Sequence, residues 1–480
     1  MESFVLVIFG ITSNLARIKL IPALYDLTKA GMLPEDLTII GVARSPMADE
    51  ELHDYINKVL REDNRHHTHP IDQEVADKLT KHVHYLNGSV EDKDFYDKLE
   101  TYLNELKKKG RNCDNVMYYL ATYPELYSTI FQHLNTHGLD RSECGWTRVM
   151  VEKPIGTDLE SAKELNALMA KYFTEDQIFR LDHYLGKETM QNILAFRFGN
   201  GIFEPLMTPE YIDHIQVTAA EDFGVGDRGG YYDTVGALKD VGQNHLLQML
   251  TFAAMEQPHK WTNEAITKRR IEFLNSLKPD TNSTVLGQYQ GYGQEKNVNP
   301  DSKTDTFFSF KAIIGDGKLA GVPAYFRGGK ELAQYVTEIS MVFRTPSMRM
   351  FKDAPLGMTP NALIYRIQPN EGIVLKILTK RSQHKLELEE TYMQYCYKNY
   401  ASIFPDPYER LIHDAFVGDQ TFFVDAPEVE AQWQITDMLV SDEHKIIQYA
   451  PGGWGPEESK EVIKKDGREW LEPSLAFCSL

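Results

Sequence analysis

Apolar and polar positions along the first third of the chain alternate between two periods. Short apolar runs at Phe4–Phe9, Leu37–Ala43, His82–Leu86, Val116–Ala121 and Thr147–Val151 read as buried strands. Between them lie stretches with helical spacing, the first over Asn14–Ala30 and closing on Gly31. Strands alternating with helices predict a parallel sheet wound by right-handed crossovers. The pattern runs to about Arg180. Beyond it, strand-like runs at Ile212–Ala220, Thr306–Ile313, Thr337–Phe343, Ala362–Gln368 and Gly372–Leu378 follow one another with few helices between, as in a mainly antiparallel sheet. Val235–Met255 and Tyr408–Phe416 read as helices, Gln288–Lys303 and Arg61–Pro70 as exposed loops. The expected fold class is therefore α/β followed by α+β: a doubly wound parallel sheet over residues 1–180, then a larger domain over 181–480.

Composition agrees with two domains, since 480 residues are too many for one ordinary core. Hydrophobic residues at 42% and charged residues at 25% fit a soluble globular chain. No apolar run approaches the roughly 20 residues that span a bilayer. The start, Met1 to Gly10, carries no basic leader and reads as a first strand, not as a secretion signal. A net charge of −19 argues against nucleic-acid and anionic-membrane partners, which need a positive field. Local lysines can still hold an anionic substrate. Cys113, Cys144, Cys396 and Cys478 lie far apart without a C-x-x-C pair, and read as free thiols in a reducing cytoplasm. His66, His67 and His69 read as a solvated loop, and no metal site is expected. His413-Asp414 reads as a pair on a helix face. Hydrolase, zinc-helix and Walker motifs do not occur.

The segment Gly10-Ile-Thr-Ser13-Asn14-Leu15-Ala16 follows a strand and opens a helix, the context of a dinucleotide fingerprint. Backbone N–H groups there can meet a pyrophosphate at the positive end of the helix. The first domain is thus expected to be Rossmann-type, with Gly10, Ser13, Asn14 and Leu15 at the cofactor. The second strand ends in Arg44-Ser45 with no acidic residue for a ribose 2′-hydroxyl, which suits a 2′-phosphate and points to NADP, with NAD as the other possibility. Arg17 and Lys19 either serve phosphates or coat the outer face of the helix. Further on, Arg180-Leu-Asp182-His183-Tyr184-Leu-Gly-Lys187-Glu188 packs several groups that are costly to bury unpaired. Asp240-Val-Gly-Gln-Asn244-His245 is a polar start to an apolar helix.

Residues 180–188 resemble the signature of glucose-6-phosphate dehydrogenases. Val151-Glu152-Lys153-Pro154-Ile155-Gly156 resembles that family's Glu-Lys-Pro turn, and Gln243-Asn244-His245 its catalytic-histidine segment. Leu286–Tyr289, Gly321–Pro323, Tyr408–Leu411, Gly418–Thr421 and Trp454–Pro456 fall in the family's order, so the likeness spans nearly the whole chain. The resemblance implies oxidation of C1 of glucose 6-phosphate to the lactone, the first step of the pentose phosphate pathway, in a cytoplasmic homodimer or homotetramer. It implies His245 as the general base and Asp182 as the carboxylate that orients it. Lys153 would contact substrate hydroxyls and the cofactor. His183, Tyr184 and Lys187 would hold the 6-phosphate, and Lys330 matches a further substrate-binding lysine of the family. Glu221 and Asp240 match acidic positions that bind sugar hydroxyls, and Pro154 a proline that shapes the cofactor site.

The chain departs from the family pattern in two places. The fingerprint has Ser13, Asn14 and Ile18 where the family has Gly, Asp and Arg. Tyr335, five positions after Lys330, stands where the family has a second basic residue. The readings set beside the first are a dehydrogenase of a related or poorly phosphorylated sugar, and a non-catalytic nucleotide-binding paralogue.

Overall fold

The computed structural model describes residues 2–62, 70–108, 115–345, 359–382, 387–400, 405–440 and 444–478. They fall into two compact units. The first takes in Met1–Gly156, Glu160–Gly186 and Pro405–Ala426, and the second Thr157–Leu159, Lys187–Phe404 and Pro427–Leu480. The first unit thus runs on to Gly186 and takes back the late helix Pro407–Val417, where the sequence pattern alone divides the chain at residue 180.

The first unit is built on six strands: β1 (Val5–Phe9), β2 (Thr38–Ala43), β3 (Val83–Asn87), β4 (Val116–Leu120), β5 (Thr147–Val151) and β6 (Ile178–Arg180). They lie in the order β3-β2-β1-β4-β5-β6 and every pairing is parallel. The order reverses between β1 and β4, the switch point at which open α/β sheets bind ligands. All residues of β1 and β4 are buried, as expected of central strands covered on both faces. The helix read at Asn14–Ala30 starts at Asn14, passes through a π-helical turn, Ala16–Leu20, and continues as an α-helix over Ile21–Lys29.

Among its described residues the second unit holds nine strands: β7 (Ile212–Ala220), β8 (Lys278–Tyr289), β9 (Phe307–Ile313), β10 (Pro323–Gly329), β11 (Val336–Phe343), β12 (Ala362–Gln368), β13 (Gly372–Lys380), β14 (Leu388–Cys396) and β15 (Ile446–Tyr449). Their order is β14-β13-β12-β11-β7-β10-β9-β8-β15. Only β7–β10 and β8–β15 pair in parallel, so the sheet is mainly antiparallel. The stretch read as one helix over Val235–Met255 is broken at Gly236, whose φ is +79°. A Cβ there would lie 2.3 Å from Asp305 Oδ1, so the close approach of that carboxylate requires glycine. Asp305 accepts from the N–H of Leu238 at 2.8 Å and caps the π-helical segment Leu238–Leu246 that follows. The loop read over Gln288–Lys303 begins only after Tyr289, where β8 ends, and is tied down by Asp233, which accepts from Tyr292 Oη and the N–H of Asn299, each at 3.1 Å, and from Ser302.

The free-thiol reading is corrected for two cysteines. Cys396, the last residue of β14, forms a disulfide with Cys478, their Cα atoms 5.3 Å apart. The C-terminal segment reaches that point along the sheet. Leu471 donates to Gln216 Oε1 at 2.9 Å, Arg366 donates to the carbonyl of Ser474 at 3.2 Å, and Phe477 packs with Ala362, Ile364 and Val374. The separation of 82 positions between the two cysteines hides this proximity from the sequence. Cys144 is exposed, while Cys113 and the loop histidines His66, His67 and His69 lie outside the described residues. No described helix is long and apolar enough to cross a membrane.

Candidate active site

The nucleotide end of the first unit is set by Gly10, which closes β1 with φ +90°. A Cβ on it would sit 2.6 Å from the carbonyl oxygen of Ala121, just past β4, so the turn accepts only glycine. Ser13, in place of the second fingerprint glycine, folds its side chain back onto the helix, where Oγ accepts from the N–H of Ala16 at 3.1 Å. Its hydroxyl thus caps the helix. Asn14 Oδ1 accepts from Arg17 at 3.1 Å, and Arg17 pairs with Glu62 at 2.7 Å. Lys19 pairs with Asp406 at 3.1 Å. Both helix cations therefore have carboxylate partners inside the unit.

At the end of β2 the backbone is clamped from β3. Asn87 donates to the carbonyl of Arg44 at 2.8 Å, and Tyr85 donates to those of Ala43 and Ser45. The side chains of Arg44 and Ser45 are left exposed. These observations fit a nicotinamide dinucleotide held by Gly10, Ser13, Asn14, Leu15, Arg44 and Ser45.

The substrate signature of the first unit begins after β6. Asp182 is buried, and its Oδ1 accepts from the N–H of Tyr184 at 2.9 Å, which folds residues 182–185 into a tight turn. Tyr184 is also buried, and its ring meets that of His183 edge-on, with centroids 5.0 Å apart. His183 is half-buried and lies parallel to the ring of Tyr408, at 6.3 Å and 19°. Lys153 is half-buried beyond β5, and the Lys153–Pro154 bond is cis. Its neighbour Glu152 is buried and accepts from Tyr119 and, at 3.4 Å, from Tyr408. Burial pushes the Glu152 carboxyl up to about 7, against the opposing pull of the two phenols and Lys153. His413 and Asp414 are 3.8 Å apart on the helix Pro407–Val417, which also carries Tyr408, and burial raises Asp414 to about 7.

The second unit carries the remaining groups. His245 and Asp240 are both buried on the segment capped by Asp305. The His245 N–H donates to Asn244 Oδ1 at 2.6 Å, and Arg228 lies 3.6 Å from Asp240. Lys330, just past β10, pairs with Glu221 at 2.5 Å and lies over the rings of Phe223 and Tyr232 at 5.1 and 5.2 Å. Lys187 donates to Gln368 Oε1 at 2.7 Å, and Gln368 donates on to Thr337 at 3.1 Å. Tyr335 hydrogen-bonds the same Gln368 and packs on Phe223 at 6.0 Å. Burial, with Glu221, Glu371 and Asp222 nearby, raises its phenol above the ordinary range. The second unit thus gathers Lys187, Glu221, Lys330, Tyr335 and Gln368 into one cluster. Gln368 was not singled out from the sequence. Its place beside Pro369 at a strand end was the signal available.

A parallel sheet of dinucleotide-binding order with a glycine turn, and a second unit bearing lysines, carboxylates and a buried histidine, define a nicotinamide-nucleotide-dependent dehydrogenase. The comparisons narrow the class. Residues 7–192 match the family model described as glucose-6-phosphate dehydrogenase, NAD binding domain, and residues 194–471 match its C-terminal domain. The chain is 39% identical to the glucose-6-phosphate 1-dehydrogenase of Aggregatibacter actinomycetemcomitans, over 98% of each chain. It is 37% identical to that of Bacillus subtilis, over 97% of this chain and 98% of the relative. The crystal structure of the Mycobacterium avium enzyme superposes with a TM-score of 0.86 at 34% identity, covering 99% of this chain and 100% of that one. A glucose-6-phosphate dehydrogenase in complex with its substrate glucose-6-phosphate gives 0.89 at 32% identity, covering 98% and 99%. The chain belongs to the glucose-6-phosphate dehydrogenase family, and is an NAD(P)-dependent oxidoreductase acting on the CH–OH group of glucose 6-phosphate.

Proposed function

We propose that the enzyme oxidises C1 of glucose 6-phosphate to 6-phosphogluconolactone with NADP, with His245 as general base and Asp182 as its partner carboxylate. The observation that carries this reading is the retention of both dyad members, each buried within its own unit. An imidazole titrates near neutrality and so can take the proton of the C1 hydroxyl and later release it. Asp182 favours the charged imidazolium that forms. When bound, the nicotinamide supplies the hydride acceptor. Lys153 binds hydroxyls near C1 and the cofactor. Glu221 and Asp240 accept from sugar hydroxyls. His183, Tyr184 and Lys187 grip the 6-phosphate through charge-assisted hydrogen bonds, with Lys330 completing the grip.

Preference for NADP over NAD is supported by Arg44 and Ser45 at the end of β2. Replacing Arg44 by Ala is expected to raise KM for NADP by roughly tenfold or more and to leave KM for NAD within about twofold. Equal effects on the two cofactors would remove the assignment. A homodimer or homotetramer is supported by the edge strand β14, which leaves Tyr392, Met393 and Tyr395 exposed. Family membership supports reading the step as the first of the pentose phosphate pathway and the enzyme as cytoplasmic, since the disulfide removes the thiol argument for that compartment.

A further inference from the structure

Resting on the substrate reading above, we propose that Glu152 is a positioning residue for glucose 6-phosphate, a carboxylate that ties Lys153 and His183 to one frame through the phenols of Tyr119 and Tyr408. Burying a carboxylate in this unit is costly, and an apolar residue would fill the space without that cost. Instead, each oxygen of Glu152 has its own donor, brought by a different element. Tyr119, near the end of β4, donates to Oε1, and Tyr408, on the helix Pro407–Val417, donates to Oε2 at 3.4 Å. The chain then leads outward in two directions. One is the covalent step to Lys153. The other is the Tyr408 ring, which lies parallel to His183 at 6.3 Å and beneath the Lys19 ammonium at 5.5 Å.

The charged and titratable groups facing Glu152 are Tyr119 from β4, Tyr127 from the helix Tyr127–Thr136, Tyr408 from the late helix, Lys153 on its own segment, and Asp182 past β6. Burial raises the carboxyl to about 7, and Asp182 adds to the rise. The phenols and Lys153 oppose it. An ionised Glu152 accepts from both phenols at once. A protonated one carries a donor on one oxygen and no charge, so both phenols lose a charge-assisted acceptor and the one facing the O–H is free to turn and accept from it. The frame is therefore set above neutrality and relaxed below it.

Glu152→Gln fixes the neutral state at every pH while keeping the shape. Glucose 6-phosphate binding to the intact enzyme, measured by calorimetry without turnover, is expected to be roughly tenfold weaker than wild type at about pH 8.5 and within about twofold of it at about pH 6. KM is expected to follow, with kcat changed less than KM. A ratio between variant and wild type that stays constant across this range overturns the proposal. Tyr119→Phe provides the second arm, since losing a donor to the ionised carboxylate must push the Glu152 carboxyl higher. The alkaline shift of the wild-type binding limb expected in this variant is a result that a purely structural Glu152 does not give, and an unmoved limb contradicts the proposal. Failure of wild-type turnover would instead strike the substrate reading, which the binding measurement does not use.

Discussion

At the scale of single residues, the two departures from the family pattern have different structural outcomes. Ser13 turns its hydroxyl back onto its own helix, where it accepts from the N–H of Ala16. Tyr335 remains consequential. It brings a phenol to Gln368, the residue that also holds Lys187, where the family has a cation. Glu221, Asp222 and Glu371 surround it, so a lysine there would be welcomed by charge. Tyr335→Lys is expected to lower KM for glucose 6-phosphate by roughly three- to tenfold and to leave kcat within about twofold, because the change adds phosphate binding away from C1. Steady-state kinetics against phosphorylated and unphosphorylated glucose checks it, and equal gains for both sugars contradict it. Most candidate residues were legible only through the resemblance of residues 151–156, 180–188 and 243–245. Gln368 and Tyr408 gained their roles through contacts between segments distant in sequence, 181 positions apart for Lys187 and Gln368, which no local pattern encodes.

At the scale of elements, the first sheet was legible because its strands are apolar runs between turns. The second was legible only in part. β10, Pro323–Gly329, is missing from the strands read in the sequence, since it ends in two glycines that dilute the strand signal, though both pair within the sheet. β14 carries two glutamates, a threonine and a glutamine on an edge, so its apolar signal is diluted. The helical stretch over Val235–Met255 was seen as one element because the break at Gly236 depends on Asp305, far along the chain. The disulfide from the end of β14 was misread for the same reason. Its loop of 82 residues sets an entropic contribution of up to about 4.5 kcal/mol. Cys396→Ser is expected to lower the urea midpoint of the oxidised protein, and a dithiol reductant to bring wild type down to the variant. Identical midpoints before and after reduction would rule the bond out as a stabilising element.

At the scale of the whole molecule, several carboxyls hold protons more tightly in the folded chain than in the unfolded one. Burial raises Glu152 and Asp414 to about 7 and Asp305 to about 6. Each contributes stability that is fully present below the ordinary carboxylate range and is lost as pH rises through its folded value. Asp213 behaves oppositely. Hydrogen bonds from Arg468 lower it to about 2, so its contribution is present above the ordinary range and is lost only as pH falls toward that value. Thermal unfolding is accordingly expected to show a midpoint that falls between about pH 5 and about pH 8, with a shallower fall in Glu152→Gln. A midpoint that rises over that interval contradicts the assignment of these buried protons.

The central claim is that this chain oxidises glucose 6-phosphate using His245 as base, and the most direct measurement is the rate of NADPH formation by wild type and His245→Ala side by side. The account predicts ready turnover of glucose 6-phosphate with NADP by wild type, and a kcat reduced by about 10² to 10⁴-fold in a variant that still binds the sugar phosphate. Wild type without turnover, or a variant as active as wild type, would contradict it.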